Sequence, residues 1–155
     1  MPSRRPRTEP AAAPASLFVD SGAWIALRSQ RDQHHAEADR LVREALSRRI
    51  RLLTTNLVVA ETHRLTLVRV GTQPALRALE LLDASPSVTI HFPSVDDHTA
   101  ARRWLERLAP RPITYTDAIS FAVMEASGCR NVLGFDEDFA VAGFTLWRGV
   151  SPVPG

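Results

Sequence analysis

The chain has 155 residues, a formal net charge of +2 and 45% hydrophobic residues, enough for one compact domain with a substantial core. All 19 cationic residues are Arg, and the absence of Lys removes Walker-type phosphate loops, pyridoxal Schiff bases and other amine chemistry. A single cysteine, Cys129, excludes an internal disulfide framework and a cysteine-rich zinc site; it suits a reducing cytosol and a small buried hydrophobe.

The opening segment MPSRRPRTEPAAAPAS is rich in Pro, Ala and Arg and lacks the apolar centre of a signal peptide. Residues 1–15 are therefore expected to form a flexible tail, residues 16–148 the folded domain, and residues 149–155 a short C-terminal tail. No apolar run approaches the roughly 20 residues that span a bilayer, which predicts a soluble, cytoplasmic protein without membrane contact.

Leu17 to Val19 form a short apolar run ending at Asp20, the pattern of a buried strand, and a helix is expected to follow. His34 to Arg49 place Ala38, Leu41, Val42, Ala45 and Leu46 on one helical face beneath an Arg-rich outside. IRLLTT reads as a second strand. Asn56 is a candidate N-cap for a helix from Leu57 to Val70 closed by Gly71, and Thr72 with Pro74 opens another helix to about Leu82. SVTIHF is a third strand. Ser94 and Asp97 match a capping box for a helix through Leu108, ended by APRP. Thr116 can cap a helix to Ser127 that Gly128 stops. NVLGF is a fourth strand ending at Asp136, and FTLW a fifth. Strands alternating with helices predict a three-layer α/β/α sandwich on a mostly parallel sheet, whose sites lie at the carboxyl ends of strands.

Four carboxylates stand next to apolar segments. Asp20 and Asp136 follow strands, Asp117 opens the helix TDAISFAVM, and Glu61 sits beside the buried stripe of NLVVAETHRL. Each has a plain structural reading: Asp20 as a helix cap, Glu61 as a solvated helix residue, Asp117 as an acid favoured by the helix dipole, Asp136 as an Asx-turn. If the four converge, however, their repulsion must be relieved by protons or by a cation. Hard oxygen donors favour Mg²⁺ or Mn²⁺, and a pair of such ions about 3.5 to 4 Å apart can activate water and stabilise a leaving oxygen at phosphorus.

FVDSGAWIAL, TTNLVVAETHRL, ITYTDAISFAVM and VLGFDEDFAVAGF, in that order, resemble the PIN-domain family of metal-dependent ribonucleases, and within it the VapC-type toxins of toxin-antitoxin pairs. The resemblance covers roughly Leu17 to Trp147. It implies a PIN-like fold with Asp20, Glu61 and Asp117 holding Mg²⁺, and Asp136 as the fourth acid, with Asp138 able to substitute or assist; Ser21 is the adjacent hydroxyl. It further implies cleavage of single-stranded or looped RNA, often tRNA or ribosomal RNA in that family, a homodimer, and a cognate antitoxin contacting the helices at 34–49 and 57–70.

Other constellations are weaker. His34, His35, His63, His91 and His98 lack metal-ligand spacing, and Arg64 reads as a solvated helix residue with phosphate contact as the alternative. Ser21, Thr114 and Thr116 have no activating histidine or G-x-S-x-G context. Trp24, Trp104 and Trp147 occur in apolar surroundings and are expected to pack. FVDSG also opens haloacid-dehalogenase-type phosphatases, but Gly22 replaces their second Asp and no Lys is present. Two further alternatives are a non-catalytic PIN-like module that binds RNA or protein, and a PIN nuclease of RNA processing that is not a toxin.

Overall fold

The computed structural model describes residues 12–150; the expected flexible tails lie mostly outside them. Leu17, Phe18 and Val19 are fully buried on both faces of strand β1 (Ser16–Val19), as a continuous apolar run in a parallel sheet requires. Helix α1 (Ser21–Arg28) and helix α2 (His35–Ser47) lead to β2 (Arg51–Thr55). Helices α3 (Asn56–Arg69) and α4 (Thr72–Ala84) lead to β3 (Val88–His91). Then come α5 (Val95–Leu108), α6 (Tyr115–Ser127), β4 (Asn131–Leu133), the short α7 (Asp138–Val141) and β5 (Thr145–Leu146).

The five strands lie in the order β3-β2-β1-β4-β5, and every pairing is parallel. The chain steps one way from β1 to β2 to β3, then returns past them to β4 and β5. Right-handed crossovers make α1 to α4 cover one face and α5 and α6 the other. Accordingly α1 packs on α2 and α3, α3 on α4, and α5 on α6. The reversal falls between β1 and β4, so a crevice is left at the carboxyl ends of those two strands, where doubly wound sheets bind ligands.

Beneath this crevice Phe121 of α6 joins the rings of Trp104, Phe139 and Phe144, with edge-on contacts at centroid separations of 5.5 Å to Trp104 and 5.1 Å to Phe139. Trp24, Trp104, Trp147 and Cys129 are all buried, in keeping with their expected packing roles. No helix of the described residues is long and apolar enough to cross a membrane.

Several expected details shift by a residue or two. Thr55, not Asn56, caps α3, its hydroxyl accepting from the Val58 N–H at 3.2 Å. Thr114, not Thr116, caps α6, accepting from the Asp117 N–H at 3.1 Å. The Ser94 and Asp97 capping box forms as expected, and Gly128 ends α6 with φ 68°. Strand β4 stops at Leu133, so Asp136 follows it only after Gly134 and Phe135, and α7 was not anticipated. Leu46, expected on the core face of α2, remains 44% exposed. At the C-terminal end, the Val150 N–H donates to Glu44 Oε1 at 2.8 Å, tying this segment to α2.

Candidate metal centre

Asp20 is the residue where β1 becomes α1. Its N–H donates to the Leu133 carbonyl at 3.1 Å, so the ladder with β4 continues through it. Its carbonyl accepts from Ala23 and Trp24 and starts the helix. Although it occupies the N-cap position, its side chain makes no capping bond. It is only 5% exposed, and its Oδ1 is buried without a hydrogen-bond partner. The cap explanation therefore fails, and a buried carboxylate oxygen is left in need of a donor or a cation.

Gly134 lets the chain after β4 pass close to Asp20. A Cβ at that position would stand 3.3 Å from Asp20 Cβ and 4.0 Å from Asp20 Oδ2, so a side chain there would push the stem of Asp20 by a few tenths of an ångström. The strand-like pattern of NVLGF hid this close approach.

Asp117 is the third residue of α6, fixed by the Thr114 cap and 8% exposed. One carboxylate oxygen each from Asp117, Asp136 and Asp138 lie within 4.8 Å of one another, a group able to hold a metal ion. Asp20 and Glu61 are not in that tightest trio. Both nonetheless interact electrostatically with it, since Asp20 feels Asp117, Glu61 and Asp136, and Asp117 feels Asp136, Glu61 and Asp138. Glu61 is half-buried on α3. All five acids singled out from sequence thus share one electrostatic neighbourhood at the switch-point crevice.

Asp136 and Asp138 differ in state. The Asp138 N–H donates to Asp136 Oδ1 at 2.9 Å, the Asx-turn that the plain reading anticipated, formed inside the acidic group. Asp138 also pairs with Arg111 Nε at 2.6 Å. Arg111, in the connection between α5 and α6, is a permanent cation at the rim of the group that sequence inspection passed over as part of a helix-breaking APRP turn.

The charge left over is visible in the proton affinities. Burial, then the neighbouring Asp117, pushes the Asp20 carboxyl up to about 7, against a weaker opposing pull from the Ser21 backbone N–H. Burial and then Asp136 push Asp117 up to about 6, opposed by the Thr114 hydroxyl. Among the described residues one Arg pairs with this group of five carboxylates, a charge that protons or divalent cations can balance. The donor set is all oxygen, with no Cys, Lys or His in the group, and fits a hard divalent ion.

Four of the five histidines have partners outside the acidic group. His34 stacks on Phe135 with ring centroids 4.0 Å apart, His35 Nδ1 meets the Ala26 carbonyl, His91 pairs with Asp97, and His98 with the Tyr115 hydroxyl. Ser21 is buried beside Asp20. Asn56, released from capping, has a buried Oδ1 without a partner at the carboxyl end of β2.

Acids gathered at the switch point of an all-parallel five-stranded sheet define a PIN-type α/β/α domain. Residues 17–145 match the PIN domain family, and the chain belongs to it. Over 132 residues it is 36% identical to the 23S rRNA-specific endonuclease VapC20 of Mycobacterium tuberculosis, in strains CDC 1551 / Oshkosh and ATCC 25618 / H37Rv, covering 85% of this chain and 98% of the relative. The crystal structure of M. tuberculosis VapC20, described as a sarcin-ricin loop cleaving toxin, superposes with a TM-score of 0.76 at 35% identity over 84% of this chain and 97% of that one.

Proposed function

We propose that the chain is a divalent-metal-dependent endoribonuclease cutting a structured loop of ribosomal RNA, and that it is the toxin of a toxin-antitoxin pair. The observation that carries the reading is the buried, unpartnered Asp20 Oδ1 amid Glu61, Asp117 and Asp136, in a chain similar over nearly its whole length to a relative named as an rRNA endonuclease. Clustered, mutually repelling charge has no use in a module that only binds, which favours a nuclease over a non-cutting PIN-like domain.

Asp20, Glu61, Asp117 and Asp136 would hold Mg²⁺ or Mn²⁺, and bound ions supply Lewis acidity and positive charge for phosphodiester hydrolysis. The chain's own residues position those groups. The β1–α1 junction fixes Asp20, the Thr114 cap fixes Asp117, and the Asx-turn fixes Asp136. Arg111 pairs with Asp138, which leaves Asp136 the better ligand of the two.

A homodimer and a cognate antitoxin accord with the exposed apolar side chains. Leu67 and Val68 of α3 and Leu76 and Leu81 of α4 are open, and an apolar cavity of about 210 Å³ lies among Leu27, Val42, Leu46 and Leu82. Cleavage of ribosomal RNA with Mg²⁺ or Mn²⁺, against EDTA and against Asp20→Asn, tests the activity; metal-independent cutting would sink it. Expression without an antitoxin should arrest growth in wild type and not in Glu61→Gln, and equal growth would remove the toxin assignment.

A further inference from the structure

Asp20 precedes α1 and Glu61 lies in the first half of α3, and the C-terminal ends of both helices carry arginines. A cleft of about 640 Å³ opens among the C-terminal parts of α1 and α3, the loop after α1 and the start of α4. Arg28 reaches it from α1, Arg31 from the loop, Arg69 from α3 and Arg77 from α4. All four are exposed, and among the described residues none forms a salt bridge. Among the described residues the one acid in the lining is Asp32, whose Oδ1 accepts a hydrogen bond from the His34 N–H at 2.8 Å.

Helix dipoles account for half of this charge. Arg28 and Arg69 stand in the last turns of α1 and α3, where a cation is favourable. Arg31 has no such reason, and Arg77 stands in the N-terminal half of α4, where the dipole offers a cation nothing. Gly71 stands at the N-cap of that helix without a capping side chain, and there is no acid in the first turn, so its opening N–H groups add to the unmatched positive character beside Pro74 and Arg77.

We propose that this cleft binds backbone phosphates of the RNA away from the scissile bond, a second contact region that holds the substrate across the acidic crevice. The inference rests on the endoribonuclease reading above. Arg28 lies eight positions after Asp20, and Arg69 eight after Glu61, so each pair is about 12 Å apart along its helix. An RNA hairpin laid along α1 and α3 meets metal ligands at one end and planar guanidinium forks, suited to bidentate phosphate contact, at the other. This also gives the Arg-only cationic complement a function at a defined place on the fold.

The test measures binding of a short ribosomal RNA hairpin over a range of salt concentrations in an Asp20→Asn background with Mg²⁺. Removing both unexplained cations, Arg31→Gln with Arg77→Gln, should weaken binding about tenfold at low salt and flatten the slope of log K against log[salt] by about 1.4, roughly 0.7 per lost phosphate contact. The charge-matched pair Arg51→Gln with Arg103→Gln, which does not line the cleft, should leave the slope unchanged. An unchanged slope in the cleft pair overturns the proposal. So does poly-glutamate that binds wild type but not the cleft pair while the RNA slope stays the same, since the cleft then serves an acidic protein segment. Cleavage by wild type, run in parallel, separates the two claims: its absence breaks the nuclease reading, whereas an unchanged slope beside intact cleavage breaks the cleft assignment alone.

Discussion

Replacing Asp20 by Asn should stabilise the metal-free protein at neutral pH and abolish its response to divalent ions. The Asp20 carboxyl is pushed from 3.8 to about 7 in the folded chain. A group whose folded value is raised favours the folded state while it is protonated, and that advantage is lost as pH rises from about 4 towards 7. At pH 7.5 the ionised Asp20 therefore costs the metal-free fold up to about 4 kcal/mol, at 1.36 kcal/mol per unit. Asp117, raised to about 6, acts in the same sense. The two costs share one repulsion and do not add, so relaxation and coupling bring the expected gain to about 2 kcal/mol. The assay is urea unfolding in EDTA from pH 4 to 8. The Asp20→Asn midpoint should exceed wild type by about 1 M at pH 7.5 and by little at pH 4. Added Mg²⁺ should raise the wild-type midpoint and leave the variant unmoved. A variant less stable than wild type in EDTA at pH 7.5, or a difference that does not grow with pH, would refute the buried-charge argument.

Two further outcomes follow from the same geometry. Gly134→Ala, which brings a methyl within 3.3 Å of Asp20 Cβ, should weaken Mn²⁺ affinity at least tenfold by calorimetry while the thermal midpoint falls by only a few degrees; unchanged affinity would show that the crevice yields freely. Asp136→Asn should cost far more cleavage rate than Asp138→Asn, because Arg111 already neutralises Asp138; equal losses in single-turnover kinetics would mean that both acids ligate.

What could be read from residues alone was the alternation of strands and helices and the chance that Asp20, Glu61, Asp117 and Asp136 meet, because each adjoins an apolar segment that had to be buried. Caps were harder to place. Thr55 and Asn56 are adjacent, and Thr114 and Thr116 two positions apart, with similar capping chemistry in each case, and only backbone geometry decides which side chain faces the open N–H groups. The length of β4 was overestimated because Gly134 and Phe135 continue an apolar run that leaves the sheet to pass Asp20. Arg111 was invisible as a partner of Asp138, since the pair spans 27 residues and exists only once α6 is packed. The arginine cleft was hidden for the same reason: its four cations come from separate elements.

Diffraction from Mn²⁺-soaked crystals, measured at the manganese edge, most directly tests whether these acids form a divalent-ion centre. Anomalous density should appear between Asp20, Asp117 and Asp136 on the side of Glu61, and should vanish in Asp20→Asn. Saturating Mn²⁺ that leaves this crevice without density, or that binds only at other acids, would contradict the metal-dependent nuclease.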